Sequence, residues 1–260
     1  MSFNTEGIIF RQTRMVQGRR MILLFTKEYG KISVGSNIGD KGRSRSSLAL
    51  RPFTYGNYQI YEGRNYYELD HADAVTSYYA IGEDLDRYAA GSFVLELTEK
   101  MIPEGLPQPA VFSLLIEFLQ ELEQRSRKYM TLVLAYELKL LRILGAFPVM
   151  GPCVVCGRKE GLHSFCVEEG GMICDECAGK AASDGHKALI FHTENDIVNV
   201  VDYFVRNPLR SFAGVALSDK VADELQRILR AYMEYHFDLG RLKSEGLFSV
   251  KENGDGKGKE

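Results

Sequence analysis

Four cysteines, Cys153, Cys156, Cys174 and Cys177, fall in two pairs, with two residues inside each pair and seventeen between the pairs. Two intervening residues let one tight turn present two sulfurs about 3.5 to 4 Å apart, as a tetrahedral ion requires at Zn–S bonds of about 2.3 Å. The spacing lies within the range of four-cysteine zinc ribbons. Four protein sulfurs leave no coordination position for water or substrate, so the expected role of one Zn²⁺ per chain is structural. A thioredoxin-like redox site would use one pair and leave the other idle, whereas an iron centre would use similar ligands, usually for electron transfer. Pro152-Cys153-x2-Cys156 matches half of a zinc deaminase signature, but His71-Ala72-Asp73 is the nearest approach to the required H-x-E.

Other chemistry is sparse. The sequence has no nucleophile with a supporting base, no glycine-rich loop ahead of a helix and no carboxylate cluster with metal spacing, so no enzymatic activity is expected. His163, His186 and His192 lie near the cysteines but outside a shell that four thiolates complete, and Cys166 reads as a small packed side chain. No run of about 18 apolar residues and no secretory leader are present, so a cytoplasmic protein without a membrane span is expected.

The elements that must carry these residues change character along the chain. Segments GIIFRQ, RRMILLFT, GKISVGS, FTYGNYQIYE and RNYYELD read as five short strands, with a bulge expected at Gly56. Five such strands in about seventy residues fit a closed barrel of the OB type better than an open sheet with long exposed edges. From about Ala72 the spacing becomes helical, with Leu85, Tyr88, Ala89, Phe93, Leu97 and Met101 on one face. Pro109 opens a second helix with the stripe Phe112, Leu115, Ile116 and Leu119 and an exposed end at ELEQRSRK; a third covers Tyr129 to Leu144 and stops at Gly145. After the cysteines, Thr193 with Asp196 three residues later is read as the N-terminal cap of a helix through Ile197, Val200, Val201 and Phe204, stopping at Asn207-Pro208. Ser218-Asp219 opens the last, with Val221, Leu225, Ile228, Leu229, Tyr232 and Tyr235 as its buried stripe. The fold class is therefore α+β and multidomain: a barrel over 1–72, a helical domain over 73–150 and 181–248, a zinc ribbon inserted over 151–180, and a disordered tail over 249–260.

Charge separates these parts. Residues 1–60 hold ten basic and three acidic side chains, a net of +7, which leaves −10 for the rest of a chain whose total is −3. Between the third and fourth strands, SNIGDKGRSRSSLALRP sets Lys41, Arg43, Arg45 and Arg51 among glycines and serines. Mobile cations and accessible backbone N–H groups suit phosphates, so this is read as a flexible nucleic-acid-binding loop. A protein-interaction scaffold, with an incidental basic loop and a zinc-stabilised body, is the competing reading.

The order of parts resembles the RecO family of bacterial DNA repair proteins. The resemblance rests on EGIIFRQTR, LLFTKEYGKISV, GDKGRSRSSLALRPF, CVVCGR and the ending at Leu239, Gly240, Lys243 and Ser244, and it spans nearly the whole chain. It implies an OB-fold N-terminal domain and a recombination mediator that binds single- and double-stranded DNA and anneals complementary strands. Its implied partners are RecR and the acidic, phenylalanine-ended tail of single-strand-binding protein (SSB), with RecA loaded indirectly onto SSB-coated DNA. Carried onto the matching segments, its basic DNA contacts fall on Arg11, Arg14, Arg19, Arg20, Lys41, Arg43 and Arg45. Arg125, Arg127, Lys128 and Arg142 are cations available to the SSB tail, and a cytoplasmic, nucleoid-associated location follows.

Overall fold

The computed structural model describes residues 1–15, 19–38, 45–183, 189–194 and 196–248, with the backbone alone at 45, 182, 183 and 248. The chain divides into two compact units, Met1–Arg125 joined by the described residues from Leu242 onward, and Ser126–Arg241.

In the first unit, strands β1 (Ser2–Arg14), β2 (Arg20–Thr26), β3 (Gly30–Ser36), β4 (Thr54–Glu62) and β5 (Tyr67–Ser77) form a barrel in the order β1-β2-β3-β5-β4. It closes where β4 pairs antiparallel with β1, from Ser2 opposite Tyr61 to Ile8 opposite Tyr55. Alternate residues point inward, as the pleat requires: Ile22 and Leu24, Ile32 and Val34, Tyr58 and Ile60 meet in one buried cluster. The opposite face of β2 is buried too, because α3 (Pro109–Gln124) lays Phe112 against Phe25, with ring centroids 5.3 Å apart. That double burial explains why MILLF is an unbroken apolar run.

Two expectations about the barrel change. Gly56 does adjoin a register shift, but the extra residue, Val75, lies on the partner strand; Asp70 is a second extra residue on β5, and β4 itself alternates cleanly. The fifth strand also continues to Ser77, past the expected boundary at 72, before α2 (Leu85–Met101) begins. The basic connection is not wholly loop, since α1 (Arg45–Ala49) forms at its end. Ala49 and Leu50 are buried in the barrel core, and the Tyr58 hydroxyl donates to the Ala49 carbonyl at 2.8 Å.

Helices α2 and α3 belong to the barrel's unit, not to the helices that follow. The Lys31 ammonium on β3 donates to the carbonyls of Glu99 and Ile102, at 2.6 and 2.8 Å, and so caps the carbonyls left unpaired where α2 ends. Burial lowers the Lys31 pKa, against the pull of Glu104 and Glu99. Helix α2 is buried on more sides than its expected stripe, with Ala90, Val94 and Leu95 also inside, whereas Leu85 is 72% exposed and Tyr88 38%. The charged run after α3 is not uniformly exposed either, since Arg125 is buried. Short helix α8 (Glu245–Phe248) returns to this unit, and the Glu96 carboxylate accepts hydrogen bonds from Lys243 N, Ser244 N and Ser244 Oγ.

The second unit holds α4 (Tyr129–Ile143), α6 (Ile197–Arg206) and α7 (Asp219–Phe237) around the cysteine segment. Helix α4 is buried almost all round. Asp196, not Thr193, caps α6, accepting from Asn199 N. Ser218 caps α7 as expected, but Tyr235 is 53% exposed. The tail 249–260 and its expected disorder lie outside the described residues.

Gly30 has φ of +71°, and a Cβ there would lie 2.2 Å from the Leu106 carbonyl oxygen. Gly30→Ala should therefore cost about 2 kcal/mol or more, through strained φ and displacement of the chain after α2. Chemical denaturation checks this, with Gly82→Ala, where nothing crowds the added methyl, as the control.

Candidate metal centre and nucleic-acid interface

The four sulfurs of Cys153, Cys156, Cys174 and Cys177 lie within 4.8 Å of one another, and those of Cys156 and Cys174 are 3.6 Å apart. A tetrahedron of sulfurs about an ion at 2.3 Å has edges of about 3.8 Å, so the donor set fits. Local geometry explains the convergence. At the first pair the chain turns back on itself, with Gly157 N donating to the Cys153 carbonyl and Cys153 N to that of Arg158. The second pair opens α5 (Asp175–Ser183), whose first turn carries Cys177. A helix N-terminus favours thiolate, and four soft sulfurs suit Zn²⁺ or iron better than a hard cation.

The segment between the pairs supplies β6 (Ser164–Cys166) and β7 (Gly171–Ile173), and β8 (Ile190–His192), after the second pair, completes a sheet in the order β7-β6-β8. Its third strand lies beyond the expected ribbon limit of 180. Cys166 is buried beside Ile173 and Cys174 but outside the four-sulfur group. His163 faces Asp175 at 3.1 Å and His192 bonds Ser164 Oγ at 2.9 Å, so neither joins the sulfurs; His186 lies outside the described residues. The sheet is anchored to α7 by His236 Nε2–H, which donates to the Val167 carbonyl at 2.7 Å, and by Phe165 against Tyr232.

Burial raises the Cys153 thiol, but N–H groups of Cys156, Cys174 and Val155 outweigh it and bring the group down to about 6. Burial and the neighbouring sulfurs push Cys177 up to about 12. Arg158 and Lys180, each paired with Glu176, stand close enough to offset the negative charge of the ionised sulfurs.

The basic N-terminal residues are less uniform. Arg11 pairs with Glu99 at 2.9 Å, Arg19 with Glu68 at 3.4 Å, and Lys27 with Glu6 at 2.8 Å. Arg20 is buried and donates to Gln12 Oε1, a placement unsuited to an outward phosphate contact. At least five of the ten cations behind the +7, counting Lys31, are thus engaged within the unit. Arg14 is exposed opposite Arg20 at the hairpin end of the β1–β2 pair. Gln12 joins that end to the Leu50 carbonyl, and the next residue, Arg51, is exposed. The structure thus gathers Arg14 and Arg51 near the start of β2. It does not bring Arg11 and Arg19 out of ion pairs, the Arg45 side chain is not described, and Lys41 and Arg43 lie outside the described residues.

Of the cations proposed for an acidic peptide, Arg125 is buried and Lys128 pairs with Asp219 at 2.6 Å; Arg142 is exposed. Among the described residues, no helix is long and apolar enough to cross a membrane.

A closed barrel of OB topology, followed by helices that carry a four-thiolate centre, defines a barrel-and-ribbon class of protein. Residues 1–78 match the family model for the N terminus of recombination protein O, and residues 82–246 the model for its C terminus. The chain belongs to that family. It is 27% identical over 251 residues to the "DNA repair protein RecO" of Thermoanaerobacter sp. (strain X514), covering 96% of this chain and 98% of the relative. With the protein of that name from Bacillus pumilus (strain SAFR-032) it shares 29% over 253 residues, covering 97% and 96%. Family membership gives the chain a role in DNA repair and recombination.

Ligation requires thiolates, so ion binding should weaken as pH falls. The Cys153 thiol is lowered and the Cys177 thiol raised, so Cys177 must give up a proton to ligate and binding of Zn²⁺ to metal-free protein should release protons at pH 7. Calorimetry in buffers of different ionisation enthalpy measures that release; zero protons at pH 7 would contradict the described geometry.

Proposed function

We propose that the chain is a non-enzymatic recombination mediator. It binds single- and double-stranded DNA through its barrel, anneals complementary strands, and helps RecA load onto SSB-coated DNA with RecR and the SSB tail as partners. The observation that carries this reading is the barrel itself: an OB-order closed sheet with exposed Arg14 and Arg51 at one end, joined to a connection that contains Lys41, Arg43 and Arg45. Such barrels hold single strands along their loops, where cations track the backbone and bases stack on aromatic rings. Tyr61 and Tyr66, 40% and 54% exposed, offer rings of that kind, whereas Tyr58 is core.

Annealing needs two polyanions to approach. Cations that displace counterions from both strands reduce the repulsion without reading sequence. The metal is Zn²⁺, and its work is structural: four thiolates close the coordination shell and fix the sheet that leans on α7. The test separates this reading from a scaffold. Binding to labelled single-stranded oligonucleotide should show log K falling with log salt by about 0.7 per phosphate contact. Replacing Lys41, Arg43 and Arg45 together by alanine should flatten that slope by about 2. Salt-insensitive binding, or a triple variant with unchanged affinity, would favour the scaffold.

A further inference from the structure

A cavity of about 450 Å³ in the first unit is lined by Phe10, Arg11, Pro52, Phe53, Tyr88, Ser92, Leu95, Glu96, Glu99, Lys100 and Lys243. That volume falls within the range of small-molecule sites. Two departures from regular geometry meet there. Phe10 is the extra residue of a bulge in β1, where the register moves from Ile9 opposite Leu24 to Arg11 opposite Leu23. Bulges re-aim side chains, and here Phe10 and Arg11 both line the cavity. Phe53 has φ of +57°, a conformation that costs a bulky residue energy and persists only where its surroundings impose it. Gly91 on α2 makes room for it: a Cβ at that position would come 2.8 Å from the Phe53 ring.

The charges are sorted as well. Glu99 is committed to Arg11, and Glu96 to the N–H groups of Lys243 and Ser244 and the Ser244 hydroxyl. Lys100 and Lys243 are exposed, and among the described residues neither ammonium has a hydrogen bond or ion pair. Tyr88, 38% exposed, stands perpendicular to Phe53 with centroids 5.6 Å apart and offers its ring at the cavity wall. Pro52 follows Arg51 directly, so an exposed cation adjoins the cavity wall in the chain.

We propose that the cavity is a single-strand subsite that receives one unstacked nucleotide, its base against Tyr88 and Pro52 and its phosphate between Lys100 and Lys243. The subsite rests on the DNA-binding reading above and extends the interface beyond the barrel, to α2 and to the Lys243–Ser244 motif. Ring contact tolerates any base, and the Ser92 hydroxyl is the one neutral side-chain hydrogen-bonding group of the lining apart from the Tyr88 hydroxyl, so little sequence preference is expected.

The experiment uses the full chain, labelled oligonucleotides and a salt series. Lys100→Ala with Lys243→Ala, at exposed positions, should weaken single-strand binding about tenfold and flatten the salt slope by about 0.7, the share of one phosphate. Tyr88→Leu should weaken single-strand binding about tenfold and leave duplex binding unchanged. Photo-crosslinking to an iodouracil-substituted strand should mark the peptide containing Tyr88. If the wild-type chain binds DNA and loses it on neutralising Lys41, Arg43 and Arg45, yet both cavity variants bind normally, the subsite is wrong and the barrel interface stands. If the wild-type chain shows no salt-dependent DNA binding, the underlying reading fails. If the two lysines matter for an acidic peptide and not for the oligonucleotide, the occupant is a peptide and the proposal is overturned.

Discussion

The ammonium of Lys31, held between the Glu99 and Ile102 carbonyls, ties the barrel to the end of α2, and much of the first unit follows from it. A helix of seventeen residues ends in carbonyls that need donors, and a half-buried strand lysine supplies them. With that end fixed, Gly30 can approach the Leu106 backbone, and α3 can cover the outer face of β2 with Phe112. Arg11 with Glu99 adds a second link between barrel and helix. The barrel is thereby covered on one outer side and keeps its connections for other work.

The same accounting changes what the basic N-terminal region means. A net of +7 over 60 residues reads as a field for polyanions, but Arg11, Arg19, Lys27 and Lys31 spend their charge on partners within the unit. The exposed cations are more local: Arg14 at the hairpin end of the β1–β2 pair, and Arg51 just after α1. That concentration suits a protein that holds a strand along one path better than one that attracts it over the whole surface.

The clustering of the four cysteines was legible, because two pairs with two-residue spacing are each written in consecutive residues. Barrel order was legible too, since short apolar strands separated by turns leave few ways to protect their edges. The length of β5 was not: Asp70 and Val75 are extra residues that break its alternation, so the strand does not look like one. Helix α1 was hidden because its turn lies inside glycine- and serine-rich sequence. The engagement of the arginines was hidden for another reason, since Glu99 and Glu68 are remote in sequence and only the folded chain brings them near. Leu85 and Tyr235 were read as core from spacing alone, yet the first turn of α2 and the last of α7 leave them exposed.

On the proposed reading DNA is held by the barrel and the ribbon serves structure, so the two units have separate tasks. The most direct test is annealing of complementary strands coated with single-strand-binding protein, followed by fluorescence of a label pair across the duplex. The account predicts faster annealing with the chain present, lost when Lys41, Arg43 and Arg45 are neutralised although Zn²⁺ remains bound. Acceleration that survives that neutralisation, or that disappears on replacing Cys174 and Cys177 by serine in a chain that still folds, would contradict it.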